Sequence, residues 1–456
     1  MTSQDLYNRL PVALQNLACT AAGARTAVRR YNRSYFRQLR AAQQRGEWSH
    51  EEICGLRDAR MRAHLVHAAT TVPHYRRKLE EAGVDARTVS LADLPGALPV
   101  LTKAEVQRDL RSFISPAVPS RKHLIEHTSG TTGGGLRFPT TWQAHRELWA
   151  TWWRYRGWHG ITHGTWCAQL AGHVVVSPDR DASPFWRYNL AGRQILMSGY
   201  HLSPENIPAY VAEFRKRRPP WIHGYPSLIA LVAQHLVEQG AELGYQLRAV
   251  TTGAESLFPQ QRELMRTAFG VEPREHYGMA EAVANASECE QGRLHVDEDL
   301  SFVEAIPDSS SGLVRIVGTN FSNPAMPLLR YSTDDLAVIG DGRCACGRPG
   351  RIIERMDGRH EDFIVLRDGT RVGTANNIFK DATNVVEAQI YQPAPGVVVM
   401  RIVPGPAYSS ADQARVLDEA RLRLRADTEI SIERWTRLPR SANGKLRLVV
   451  SGYEKA

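Results

Sequence analysis

The stretch HTSGTTGGGLRFPTT, from His127 to Thr141, sets Ser, Thr and Gly residues in a row and then turns apolar. Thr128, Ser129, Gly130, Thr131, Thr132 and Gly133 offer backbone amides and hydroxyls of the kind that cradle a polyphosphate. A Walker loop would need Gly-Lys-Ser/Thr opening a helix, so that amides and helix dipole face the phosphates. No lysine stands in this loop, and LRFPTT, with Pro139 and β-branched residues, suits a strand or turn. A dinucleotide fingerprint also demands a following helix, and none starts before about Trp142. What is left is a hairpin-type loop able to wrap a triphosphate, or a plain flexible loop.

A second group of residues has metal-binding chemistry. ECEQGRLH offers Cys289 and His295, and RCACGR offers Cys344 and Cys346. Thiolate and imidazole ligands in a set of four suit tetrahedral Zn²⁺. The Cys-x-Cys spacing is tighter than the usual Cys-x₂-Cys, so two free thiols in a turn, beside an unrelated Cys and His, are the other reading. Cys19, Cys54 and Cys167 are scattered and read as buried apolar residues, and disulfides are not expected in a cytoplasmic chain.

Downstream of the loop come TTGAES (251–256), YGMAE (277–281), RYSTDDL (330–336), DGRHEDFI (357–364) and RLPRSANGKLRLV (437–449). Singly, Tyr277 fits a packed aromatic, Asp335 a turn residue and Lys445 a surface lysine. Together, in this order and spacing, the motifs resemble the adenylate-forming superfamily of acyl-CoA synthetases and related ligases. Within it the chain looks like the phenylacetate–CoA ligase branch that includes CapK-type proteins. The resemblance extends to TVPHYRRKLEEAG (71–83) and LPVLTKAEV (98–106), and so covers nearly the whole chain.

The resemblance implies a particular chemistry. A carboxylate is a poor electrophile; its attack on the α-phosphate of ATP gives an acyl-AMP and expels pyrophosphate. The enzyme must hold three phosphates, place Mg²⁺, grip adenosine and neutralise an in-line transition state. By the family pattern the 128–133 loop holds the β- and γ-phosphates, Tyr277 and Gly278 form part of the adenine site, and Glu281 ligates Mg²⁺. Gly253, Ala254 and Glu255 line the other face of the base, and Asp335 accepts from the ribose hydroxyls. Arg359 sits near ribose and phosphate, Glu361 is the hinge, and Lys445 supplies a mobile positive charge to the α-phosphate and the substrate carboxylate. A Cys/His set recurs in the same branch, which favours a closed, structural zinc site at Cys289, His295, Cys344 and Cys346.

By the same analogy WIHGYPS borders the acyl site, and Trp221, His223 and Tyr225 favour an aromatic or otherwise flat acid. The acceptor is most readily CoA. An amine or an acyl-carrier protein stays open, as does a degenerate nucleotide-binding scaffold. Four positions depart from the pattern: Ala280 for Thr, Ser332 and Asp334 for Arg and Gly, and Glu361 for a hinge Asp. Loss of the Thr hydroxyl removes a contact worth about 1 kcal/mol.

These residues need a large framework. The chain has 456 residues, 43% apolar and 23% charged, ordinary values for a globular protein of two or three domains. Residues 1–95 read as helices, and from about 120 to 340 short apolar runs alternate with helical stretches such as PSLIALVAQHLVEQG, the pattern of an α/β fold. The Trp-rich run 142–166 has the spacing of core packing on a helix. After MDGRHEDFIVLRDGTRV (356–372) the composition shifts to a compact α+β tail, which puts a boundary near 357–361. The expectation is a large N-terminal adenylate-forming domain, 1–358, with β-sheets flanked by helices, and a small mobile C-terminal domain, 359–456.

No run is apolar enough to span a membrane, and the N-terminus reads as mature, cytoplasmic protein. The charge balance is 57 − 48 = +9, densest in RRYNRSYFRQLR and RKRR. That suits a solvated face, or a surface for an anionic cosubstrate or acidic carrier; nucleic acid is not expected, since no binding motif accompanies the charge. The expected partners are a small carboxylic acid, ATP and the acyl acceptor, with room for a homodimer.

Overall fold

Three helices, α1 (Val12–Arg30), α2 (Arg33–Arg45) and α3 (His50–Thr71), follow a short Ser3–Arg9 helix. The start of α3 is fixed by a capping box in which Ser49 and Glu52 each accept the other's backbone N–H. The computed structural model describes the chain except for residues 1–2, 128–135, 178–179, 309–311, 341, 360–363, 368–370, 373–377, 380–381, 383, 406, 425–426, 441–445 and 454–456.

Strands β1 (His123–His127) and β2 (Arg137–Thr141) form an antiparallel hairpin whose last pair is His127–Arg137. LRFPTT is mostly strand, as its composition suggested. Helix α4 (Trp142–Trp158) begins directly after it. Then come β3 (Cys167–Ala171), β4 (Trp186–Asn189), β5 (Gln194–Ser198), β6 (Trp221–Gly224), α5 (Pro226–Glu238), β7 (Ala249–Gly253) and α6 (Pro259–Phe269). Strands β8 (Arg274–Gly278), β9 (Asn285–Glu288), β10 (Leu294–Val296), β11 (Ser301–Pro307), β12 (Val314–Asn320), β13 (Tyr331–Gly340) and β14 (Ile352–Arg359) succeed them. The chain closes with β15 (Val385–Ala394), β16 (Val397–Pro404), α7 (Ser410–Arg423), β17 (Glu429–Arg434) and β18 (Val449–Ser451).

The chain divides into two compact units. The first comprises Met1–Ala27, His159–Glu275 and Gly358–Ala456. In it β7, β6, β3 and β5 lie parallel in that order, with β4 antiparallel at the edge. Parallel strands are covered on both faces, which is why α5 reads as an almost unbroken apolar run and is buried from Pro226 to Gln234. Strand β6 approaches β3 so closely that a Cβ on Gly224 would lie 1.8 Å from Leu170 O. The C-terminal segment forms a second sheet, β17-β16-β15-β18. Its Val386, Val403 and Leu438 join the core built on Leu228, Leu236 and Met265.

The second unit comprises Val28–Trp158 and His276–Asp357. Its sheet runs β11-β12-β13-β14-β10-β9-β8. Met61, Leu65 and Ala68 of α3 pack there with Phe138, Val283 and Tyr331. The mixed α/β architecture is the one the alternating pattern implied. Two cysteines differ from expectation. Cys167 is buried, but Cys19 and Cys54 are only half-buried, because each sits on a helix with a solvent face, beside Tyr7 and His50 respectively.

Candidate functional site

In the second unit, Tyr277 and Asp335 are brought together. Register along β12 and β13 passes from Arg315–Leu336 to Val317–Ser332, so Thr333, Asp334 and Asp335 face the single residue Ile316. Such a bulge re-aims side chains. Thr333 Oγ1 donates to Ile316 O (2.8 Å) and accepts from Asp335 N (3.2 Å), pinning the bulge. Asp334 takes φ 61°, a conformation that Asp tolerates better than most residues, and Ser332 Oγ donates to its carboxylate at 2.8 Å. The departures at Ser332 and Asp334 thus keep a glycine-like backbone and stabilise it with each other. Asp335 Oδ2 accepts from the Tyr277 hydroxyl at 2.6 Å.

Glu281 lies in the turn between β8 and β9, 5% exposed. Asn320 Nδ2 donates to its backbone carbonyl at 3.1 Å and fixes the turn, while Ala282 takes φ 54°. The Glu281 carboxylate is a hard oxygen donor of the kind Mg²⁺ prefers. The neighbouring Ala280 packs against the core of α3 and β2. On Gly278 a Cβ would lie 2.6 Å from Asn285 Oδ1, so any side chain there would displace the Asn285 amide.

Sequence reasoning missed the support under β8. His276 is half-buried, with its ring packed on Trp152 and Tyr155, and lies 3.0 Å from Asn285 Oδ1, which also accepts from Trp152 Nε1 at 2.8 Å. Burial and the nearby Arg156 push the His276 pKa down to about 3, so the ring is neutral. Asn285 Nδ2 donates to Asp297, which also pairs with Arg154 at 2.6 Å. Arg154 and Arg45 both hold Asp299, at 2.9 and 2.7 Å. Burial raises the Asp297 carboxyl; at Asp299 burial is outweighed by the two guanidiniums, and the carboxyl sits well below its usual range. The sequence signal was HVDED, three consecutive acids, Asp297, Glu298 and Asp299, all of them buried. Arg330 was missed too: it is buried, pairs with Glu304 at 2.9 Å and donates to Leu98 O at 2.6 Å, and so anchors the start of β13 rather than reaching out from it.

In the first unit, Gly253 ends β7, Ala254 takes φ 68°, and Glu255 has a task the sequence did not reveal. Its Oε2 accepts from Ser227 Oγ (2.6 Å) and its Oε1 from the backbone N–H of Leu446 (2.7 Å), the residue after Lys445. Arg440 donates to Ser227 Oγ at 2.5 Å and pairs with Glu387, while Arg437 donates to Gly199 O and Tyr200 O. Burial raises the Glu387 carboxyl, with Arg440 opposing. Trp221 is buried and donates to Thr251 Oγ1 at 2.8 Å; His223 Nδ1 lies 2.9 Å from the same oxygen. Tyr225 precedes α5 and is half-buried, with its hydroxyl pKa raised by burial.

The structure also gathers Cys289, His295, Cys344 and Cys346, whose ligand atoms all lie within 4.8 Å of one another. Cys289 Sγ and Cys344 Sγ are 3.7 Å apart, and Cys346 Sγ is 3.4 Å from His295 Nε2. A tetrahedron with metal–sulfur bonds of about 2.3 Å has edges of about 3.8 Å, so the four donors fit one ion. His295 Nδ1 lies 3.1 Å from Pro349 O, which fixes its proton there and leaves Nε2 as the lone-pair donor. Backbone N–H groups of Cys346 and Arg348 point at Cys344 Sγ and Cys346 Sγ, each at 3.5 Å. Burial raises the Cys289 thiol and pushes Cys346 up to about 12; at Cys344 burial is overcome by hydrogen bonds from Cys346, and the thiol is lowered.

Thr128, Ser129, Gly130, Thr131, Thr132, Gly133, Glu361 and Lys445 lie outside the described residues, as does the side chain of Arg359, whose backbone ends β14.

The chain is similar to several known proteins. Residues 364–452 match the CapK C-terminal domain. Protein CapK of Staphylococcus aureus is 22% identical over 455 residues, covering 98% of this chain and 99% of that protein. A phenylacetate-coenzyme A ligase of Thermus thermophilus is 27% identical over 333 residues, covering 70% of this chain and 72% of that protein. The chain is homologous to CapK and to the phenylacetate-coenzyme A ligases. Its fold is also that of a 2-hydroxyisobutyryl-CoA ligase solved in the postadenylation state with 2-HIB-AMP. That match has a TM-score of 0.69 at 18% identity and covers 90% of this chain and 91% of the other. The CapK match spans β15 to β18 and α7, the segment that holds Arg440 and Leu446.

Proposed function

We propose that the protein is an ATP-dependent carboxylate ligase that forms an acyl-adenylate and passes the acyl group to the thiol of CoA. The observation that carries this is the Tyr277–Asp335 pair on a pinned bulge, at the positions where the CapK and phenylacetate ligase relationship leads one to look for an adenosine site. Tyr277 faces the base, and Asp335, oriented by the tyrosine hydroxyl, accepts from the ribose hydroxyls. Glu281 is the magnesium ligand; the ion, when bound, neutralises phosphate charge. Gly253 and Ala254 line the base, the 128–133 loop holds the terminal phosphates, and Arg359 stands by the ribose and α-phosphate. Lys445 is delivered by a segment anchored through Glu255 and Leu446, and Glu361 is the hinge on which a mobile C-terminal domain, 359–456, alternates between half-reactions. The acid is aromatic or flat, bordered by His223 and Tyr225.

The Cys/His cluster is read as a structural zinc site, since four protein ligands close the coordination sphere. Two measurements test the proposal. Mass spectrometry of products from an acid panel with ATP and CoA, run beside amines and a carrier protein, should give an acyl-CoA; an amide or an acylated carrier instead would overturn the choice of acceptor. Elemental analysis should find one zinc per chain; its absence, with the unfolding midpoint unmoved by chelation, would remove the metal.

A further inference from the structure

Helix α1 is turned inside out. Its protein-facing side carries polar and small residues, Gln15, Asn16, Thr20 and Gly23 among them. Gln15 Oε1 accepts from Arg187 Nε at 2.5 Å, and Asn16 Oδ1 from Tyr188 N at 2.9 Å. Thr20 Oγ1 accepts from Leu190 N at 3.1 Å and donates to Tyr188 O at 3.3 Å. These side chains stand where a neighbouring strand would be and satisfy the open backbone of the edge strand β4. Polar residues are therefore required inside, and the apolar ones face out.

Leu14, Leu17 and Val28 are 47%, 63% and 77% exposed, and the exposed Ala21 and Ala24 lie between them. This stripe follows a 3-4-3-4 spacing along about 21 Å of helix. Residues 6–46 contain eight arginines and no lysine, aspartate or glutamate. Arg25 and Arg29 are exposed on the same helix. At about 100° per residue Arg25 sits only about 40° around the helix from Ala21, and Arg29 about 80°.

We propose that α1 lies on an anionic phospholipid bilayer surface, with Leu14, Leu17 and Val28 between the headgroups and Arg25 and Arg29 on the lipid phosphates. An apolar stripe edged by arginines and free of acids is the pattern of an interfacial helix. Arginine stems can snorkel from such a stripe to the phosphates, and each basic residue adds attraction to an anionic surface. The spacing also resembles a helix–helix seam, but a second copy would bury Arg25 inside it, against the partner's apolar residues. An acidic protein would reward the arginines and leave the leucines uncovered. The helix does not cross the membrane: none among the described residues is long and apolar enough.

The test is flotation of the full chain with vesicles containing phosphatidylglycerol against vesicles of phosphatidylcholine alone, with analytical ultracentrifugation alongside. Wild type should float with the anionic vesicles and lose binding as salt rises. Leu14→Glu/Leu17→Glu should abolish flotation, and Arg25→Ala/Arg29→Ala should weaken it by about thirtyfold, both with unchanged thermal midpoints. Failure of wild type to float, or equal flotation of the leucine variant, overturns the proposal. So does a dimer split by Leu17→Glu without vesicle binding, which assigns the face to a second copy. Binding to polyglutamate but not to vesicles would assign it to an acidic protein and overturn it equally.

Discussion

At the scale of residues, three residues of β13 stand opposite one of β12, and that mismatch turns Asp335 toward Tyr277. Tyr277→Phe removes the hydroxyl that orients the carboxylate but keeps the ring. The expected result is a rise of about fivefold in KM for ATP, equivalent to about 1 kcal/mol, with kcat changed less; steady-state kinetics at saturating acid measures it. A second residue-scale consequence concerns pH. Burial pushes the His64 pKa down to about 3, so the folded protein keeps the ring neutral while the unfolded chain protonates it below about pH 6.5. The stability this depressed pKa contributes is present above about pH 6.5 and is lost as pH falls toward 3. The loss is about 1.4 kcal/mol per pH unit in the middle of that window. Denaturant unfolding from about pH 6 to 4 should therefore show a shallower loss for His64→Leu than for wild type, by about that slope; identical slopes would contradict it.

At the scale of elements, the segment from Arg437 to Leu446 is held by its own arginines. Arg440 joins Glu387 of β15 to Ser227 of α5, and Glu255 grips the backbone at Leu446. Glu387 is 1% exposed, so Arg440→Ala leaves a buried carboxylate without its cation and should destabilise the chain by about 3 kcal/mol. Glu387→Gln in the same background should recover most of that loss, as read by a double-mutant cycle of unfolding free energies. Much of the element plan was legible in the sequence. Pro226 and the apolar run after it mark α5, Gly83 at φ 66° follows the helix of HYRRKLEEA, and Pro139 with its β-branched neighbours marks β2. The orientation of α1 was not, because a helical wheel would turn Leu14, Leu17, Ala21 and Val28 inward. Only the unpaired edge of β4 explains why Asn16 and Thr20 face in instead.

At the scale of the whole molecule, the motifs are shared between two compact units. One carries Tyr277, Glu281, Asp335 and the Cys/His cluster, and the other carries Gly253, Ala254, Glu255 and the segment leading to Leu446. The order of the motifs was legible because each proposed role uses residue types with few substitutes: a carboxylate for a ribose, an aromatic for a base, thiols for a metal. The supports were not legible, since Arg154 and Asp299 stand 145 positions apart and Glu255 and Leu446 stand 191 apart. Such pairs meet only once the sheet is built. The central claim is that this framework activates a carboxylate on the α-phosphate of ATP. The most direct test is ATP–pyrophosphate exchange across a panel of aromatic and aliphatic acids, with Lys445→Ala beside wild type. Exchange that depends on one class of acid and falls at least about a hundredfold in Lys445→Ala is the predicted result. No exchange with any acid despite tight ATP binding, or full exchange in Lys445→Ala, would contradict it.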